Sequence, residues 1–213
     1  MKKLTTTLIF GLLCVSVFAQ DLTPLKDEND KIAFFDDDEN AVTPFKYDGV
    51  GYTGDGYYGV KANRKWGFIN EKGKEVIPLI YDDIMGFSDG AAPVERNGKW
   101  GSIDKKGKEI IPLKYDNIPR FYDGLAKVEL NDKTGFADKT GKEVIPLKYD
   151  LASDFQNGYA RVSLNDKWGL INKNGKEIIP LKYEDVSGFE NGKAEVVENG
   201  RKFYLDKSGK EVK

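Results

Sequence analysis

Three sets of side chains in this chain have types and spacings that could do chemistry. Carboxylates follow tyrosine at Asp82, Asp83, Asp116, Asp150, Glu184 and Asp185. Two of them could serve as the acid and base of a carboxylate-based glycan hydrolase. They recur in every unit, however, whereas a catalytic pair should be a singular departure. Turn formation, in which Asp accepts backbone N–H groups, is the plainer role. An acidic run, Asp36-Asp37-Asp38-Glu39, offers oxygen ligands of the kind Ca²⁺ prefers. Its spacing matches no EF-hand loop, and a charged cap that discourages strand-to-strand association accounts for it as well. Trp66, Trp100 and Trp168 could stack on sugars or peptides as a ligand-binding ladder. Large aromatics also dominate the packing of cores, so these rings are expected to fill space between units.

Lys74, Lys108, Lys142 and Lys176 each follow a glycine, but no long Gly-rich run or following helix makes a phosphate loop of them. Histidine is absent, which excludes His-based triads, His general bases and His-ligated zinc. No cofactor and no catalytic activity are expected. The 33 basic and 35 acidic side chains are interspersed, so no stripe of charge recommends nucleic acid or an anionic membrane as partner.

The first residues read as a targeting segment. Lys2 and Lys3 precede an apolar run from Leu8 to Phe18, and Val17-Phe18-Ala19 suits cleavage after Ala19. The run is too short to span a bilayer. Lipidation at Cys14 is the alternative, but Leu13 stands where a small residue is wanted. Cleavage removes Cys14, the single cysteine, and brings the net charge to −4. The product should be exported, periplasmic or extracellular, without thiol or disulfide.

The elements that position these side chains follow from an internal period. Pro78, Pro112, Pro146 and Pro180 are 34 residues apart, as are Tyr81, Tyr115, Tyr149 and Tyr183, and Phe87, Phe121, Phe155 and Phe189. A worn copy begins at Ile32. Gly and Pro in every unit argue against helical repeats. The alternation Ala126, Val128, Leu130 against Lys127 and Glu129 is that of a half-buried strand. Asn97-Gly98, Asn131-Asp132, Asn165-Asp166 and Asn199-Gly200 suit type I′ hairpins. Asp104 to Gly107 suits a type I turn. The spacing predicts a three-stranded meander per unit, its third strand stopping at Pro112, and then a connector of about a dozen residues.

Lys-Trp-Gly opens the second strand at Lys65-Trp66-Gly67, Lys99-Trp100-Gly101 and Lys167-Trp168-Gly169, and Gly-Lys-Glu, Ile-Pro-Leu and Tyr-Asp follow in register. Nearly the whole mature chain thus resembles the WG-repeat (KWG-repeat) family, a resemblance that implies a repeat architecture and no particular role. Thr134 and the run Lys202-Phe203-Tyr204 break the pattern, and Phe136 or Phe203 is expected to fill the vacated space.

The chain is therefore expected to be all-β: residues 1–19 a signal peptide, 20–31 a linker, and 32–213 a repeat domain. Its units fall at about 32–62, 63–96, 97–130, 131–164 and 165–198, with a partial copy at 199–213. The two ends carry the same hairpin, which favours an open twisted array over a closed propeller-like ring. The function expected is a non-catalytic binding or adhesion module. It would present outward residues such as Lys127, Arg161 and Glu195 to a protein or glycan partner of the cell envelope. A spacer protein without ligand is the alternative.

Overall fold

The computed structural model describes residues 22–213; the expected signal peptide, residues 1–19 with Cys14, lies outside them. Among the described residues the chain forms a row of six small antiparallel sheets. The first holds β1 (Thr23–Lys26) and β2 (Ile32–Phe35), and the second holds β3 (Gly49–Gly54), β4 (Tyr57–Ala62), β5 (Lys65–Asn70) and β6 (Glu75–Tyr81). The third holds β7 (Asp83–Ile84), β8 (Ala91–Arg96), β9 (Lys99–Asp104) and β10 (Glu109–Tyr115). The fourth follows with β11 (Phe121–Tyr122), β12 (Leu125–Leu130), β13 (Lys133–Asp138) and β14 (Glu143–Tyr149). The fifth holds β15 (Leu151–Ala152), β16 (Tyr159–Leu164), β17 (Lys167–Asn172) and β18 (Glu177–Tyr183). The sixth holds β19 (Asp185–Val186), β20 (Lys193–Glu198), β21 (Arg201–Asp206) and β22 (Glu211–Val212).

Every pairing joins strands adjacent in sequence, and none joins the first sheet to the sixth, so strand pairing closes no ring among the described residues. The all-β array of 34-residue units is as the sequence predicts. Three details differ. The connector holds a short strand of its own, so most sheets are four-stranded rather than three-stranded. Thr23–Lys26, expected in a linker, pairs with Ile32–Phe35 and belongs to the first sheet. The strand after the Asp104 turn runs through Pro112 to Tyr115. It tolerates the proline because β10 is an edge strand bulged between Ile111 and Tyr115, where a missing N–H leaves no ladder bond unmade.

That bulge explains the Gly of each Trp-Gly. A Cβ on Gly101 would lie 2.5 Å from the Ile111 carbonyl oxygen and 2.8 Å from the Pro112 carbonyl carbon, and Gly67, Gly135 and Gly169 are crossed alike. The turns are as expected: Asn97 and Gly98 have φ of 57° and 73°, the type I′ pattern.

Five hydrophobic clusters hold the row together, and each fills one junction between successive sheets. At the second junction, for example, Phe68, Ile77 and Tyr81 meet Ala92, Val94 and Ile103. Polar latches reinforce the junctions. Lys65 pairs with Asp82, Lys99 with Asp116 and Lys133 with Asp150, and each carboxylate also accepts the N–H of the next hairpin turn, at Asn97, Asn131 and Asn165. The Lys of Lys-Trp-Gly and the Asp of Tyr-Asp are thus two halves of one contact between units.

Candidate functional site

Three of the recurrent carboxylates, Asp82, Asp116 and Asp150, are engaged in these latches. A lysine hydrogen bond, then a turn N–H, holds Asp82, Asp116 and Asp150 below the usual carboxylate range, which is the wrong direction for a general acid. Asp83 and Asp185 accept the N–H of the next residue. Asp36 accepts the N–H groups of Asp38 and Asn40, and Glu39 takes the left-handed turn position with φ 62°. The acidic run is therefore the turn of the first unit. Among the described residues no three His, Cys, Asp or Glu side chains gather to hold a metal ion.

The three tryptophans lie in three different sheets and share no pocket. All are partly buried. Trp66 packs against the second junction's cluster and Trp168 against the fifth, each beneath a cation, Lys61 at 5.2 Å and Arg161 at 4.8 Å. Trp100 instead lines a groove of about 480 Å³ with Asn117, Arg120, Tyr122 and Lys127. At Thr134 the space left by tryptophan is not refilled. Phe136 is fully buried at the place Phe68 holds in its own sheet, and Thr134 lines an open slot of about 520 Å³ beside exposed Leu151. Phe203 packs inward on the fifth junction, 6.2 Å from Tyr183, since β22 is only Glu211–Val212 and no proline bulge crosses it.

The outward residues are also engaged. Lys127 donates to the Ala152 carbonyl at 3.3 Å, Arg161 pairs with Asp185 at 2.6 Å, and Glu195 with Lys202 at 2.9 Å.

A further departure from the repeat falls at the third junction. At the second, fourth and fifth junctions a connector phenylalanine packs on an aromatic ring of the preceding sheet. Phe87 lies 4.7 Å from Tyr57 and 4.8 Å from Phe68, Phe155 lies 4.7 Å from Phe136, and Phe189 lies 4.9 Å from Tyr159. The corresponding Phe121 meets a sheet in which Ala91 stands at the Tyr57 position and Ser102 at the Phe68 position. The second sheet has two rings at these positions, the fourth and fifth have one ring and one leucine each, and the third has neither. Ser102 is fully buried with its hydroxyl unpartnered, and its cross-strand neighbour Pro93 lines a groove of about 340 Å³.

Met85, Phe87, Ala91, Pro119 and Phe121 supply the apolar wall of this groove, and Tyr52 and Tyr122 stand at it, 57% and 44% exposed. Tyr122 is shared with the groove under Trp100 and with a third of about 620 Å³ that includes Asp154 and Arg161. Three grooves therefore meet at one exposed ring. The sequence offers the signal for this site in Ala91 and Ser102, two small residues where the other units carry larger side chains. It is visible only once the facing positions are known.

Comparison with known proteins gives the scaffold. No curated protein matches the chain. Among solved structures it is similar to one titled as the eukaryotic initiation factor, at 10% identity and TM-score 0.49, over 91% of this chain and 61% of that one. It is similar to Hsv2 of Kluyveromyces lactis at 11% identity and TM-score 0.42, over 78% of this chain and 62% of that one. This chain thus spans about three fifths of each of those two proteins. A protein of unknown function from Bacteroides caccae matches at 16% identity and TM-score 0.30, over 91% and 92% of the two chains. The family profile described as WG containing repeat matches residues 33–66, 66–100, 100–133, 135–168 and 168–201. With five copies covering most of its length, the chain belongs to the WG containing repeat family.

Proposed function

We propose that this protein is an exported, non-catalytic binding module whose ligand enters the groove over Phe121. The observation that carries the reading is a groove lined by Ala91, where the second and fifth sheets carry tyrosine, and flanked by exposed Tyr52 and Tyr122, with the small, fully buried Ser102 behind its wall at Pro93. Ligand sites are commonly concave, mostly apolar and sparsely furnished with polar groups. The engagement of the recurrent carboxylates in latches supports a role without catalysis. Export rests on Lys2, Lys3 and the Leu8–Phe18 run, and a secreted product beginning at Gln20 would mark it.

Refilling the groove tests the reading. The double variant Ala91→Tyr/Ser102→Phe restores the side chains found in the second sheet. A panel of small molecules and envelope glycans, screened by intrinsic fluorescence, should yield ligands that bind the wild type and not the folded double variant. Ligands that bind both equally, or a panel without ligands, would overturn the proposal. The latches at successive junctions favour one second reading, a rigid spacer, which predicts that empty panel.

A further inference from the structure

We infer that the groove over Phe121 takes a small organic acid with an apolar or aromatic body, its carboxylate gripped by Arg120. The inference rests on the groove being a binding site and adds the chemical class of what it binds. Arg120 lines the groove at the position that Tyr52, Gly86, Asp154 and Gly188 hold in the other units. Its guanidinium donates to the thioether of Met85 at 3.3 Å, a weak acceptor. No carboxylate pairs with it among the described residues, whereas Arg161 has Asp185 at 2.6 Å and Arg201 has Glu211 at 2.5 Å; Arg64 and Arg96 also form no ion pair among these residues, but neither lines this groove. A planar fork with unspent donors matches a carboxylate in two parallel hydrogen bonds.

The surroundings decide between anions. Asp89 is the carboxylate that lines the same groove, and Lys139 holds it at 3.6 Å. Arg120 is thus the charged group of this lining that has no charged partner. Asp116, Glu129 and Asp154 line the adjoining groove with Arg120 and Lys127; Asp116 is held by Lys99, Glu129 lies 3.8 Å from Lys127, and none of the three pairs with Arg120. One cation without a carboxylate partner suits a monoanion. A phosphate would ask for more cations or converging N–H groups than this wall of Met85, Phe87, Pro93, Pro119 and Phe121 provides. The volume of about 340 Å³ falls at the small end of ligand pockets and suits one ring with a short acid arm.

The probes are 4-phenylbutyrate and its neutral twin 4-phenylbutyramide, titrated against the full-length mature protein with ligand-observed NMR. The acid should bind about tenfold tighter than the amide, the scale of a charge-assisted hydrogen bond. In Arg120→Gln that preference should vanish while affinity for the amide is unchanged. An amide that binds as tightly as the acid, or a preference that survives Arg120→Gln, overturns the assignment of the acid. The Ala91→Tyr/Ser102→Phe variant separates the two claims. Loss of both probes there keeps the groove as the site even if the acid preference fails, and retention of both removes the groove itself. If neither probe binds the wild type, the acid assignment fails.

Discussion

Gly101→Ala is the substitution that most directly tests why tryptophan is followed by glycine in these units. The new methyl would sit 2.5 Å from the Ile111 carbonyl oxygen, 2.8 Å from the Leu113 nitrogen and 2.8 Å from the Pro112 carbonyl carbon. All three atoms are backbone, so no rotamer change relieves the clash. Relief requires β10 to move off β9, which loosens the pairings Ile111↔Ser102 and Tyr115↔Trp100. Overpacking of this kind costs about 1–3 kcal/mol, and the loosened ladder hydrogen bonding about 1 more, giving about 2–4 kcal/mol in all. For a chain of this size that amounts to a fall in Tm of about 5–15 °C. Gly98→Ala calibrates the result, because its methyl would meet nothing within 4 Å and its φ of +73° is the source of strain, about 1–2 kcal/mol. Thermal unfolding followed by circular dichroism should therefore rank wild type above Gly98→Ala, and Gly98→Ala above Gly101→Ala. A Gly101→Ala protein melting within about a degree of wild type would refute the bulge as the reason for the glycine.

Two further outcomes are expected. The latch carboxylates Asp48, Asp82, Asp116 and Asp150 are held below their ordinary value of 3.8, first by a lysine hydrogen bond and then by a turn N–H. A lowered folded value means their contribution is complete above that pH and disappears as acid protonates them. Urea midpoints should then be flat from neutral pH to about 5 and fall below about 4, and a rise on acidification would contradict the latches. The sixth sheet turns Lys202 and Tyr204 outward, where the second has Trp66 and Phe68, with Glu195 bonded to both and Lys193 over the Tyr204 ring. Lys202→Trp/Tyr204→Phe should expose an adhesive face and raise the solution mass by light scattering, and an unchanged mass would show that this polar face does not limit association.

Much of the fold was legible because a repeat prints its own constraints many times. The Asn-Gly and Asn-Asp pairs, the Asp104 turn and the alternation around Val128 each name a local conformation that needs no knowledge of the neighbours. Pro112 misled because its missing N–H forbids a central strand and not an edge one, and edge position is a property of the sheet. The fourth strand was hidden for a similar reason: two residues such as Phe121–Tyr122 carry no period. The candidate site was largely illegible. Trp66, Trp100 and Trp168 drew notice as large rings, whereas the groove lies where Ala91 stands in place of a larger side chain, and absence of bulk signifies nothing until the facing Phe121 is placed.

The departures from the repeat differ in kind. Phe203 replaces a glycine at a strand that no proline bulge crosses, so the change follows from the local backbone. Lys202 and Tyr204 replace rings on an exposed face, where both bond to Glu195. Thr134 replaces a ring at a junction margin and leaves an open slot, yet the cluster behind it is intact with Phe136, Tyr149 and Phe155 all buried. Ala91 and Ser102 fit none of these accounts. They lie within a junction between two sheets, where the other units spend aromatic rings on cohesion, and Ser102 buries a hydroxyl without a partner. A buried unsatisfied group costs about 1–3 kcal/mol, and missing core volume costs further. A scaffold under selection for cohesion alone would place Phe at 102, as it does at 68 and 136. On the proposed binding role, the stability given up at this one junction is what keeps the groove beside Phe121 open.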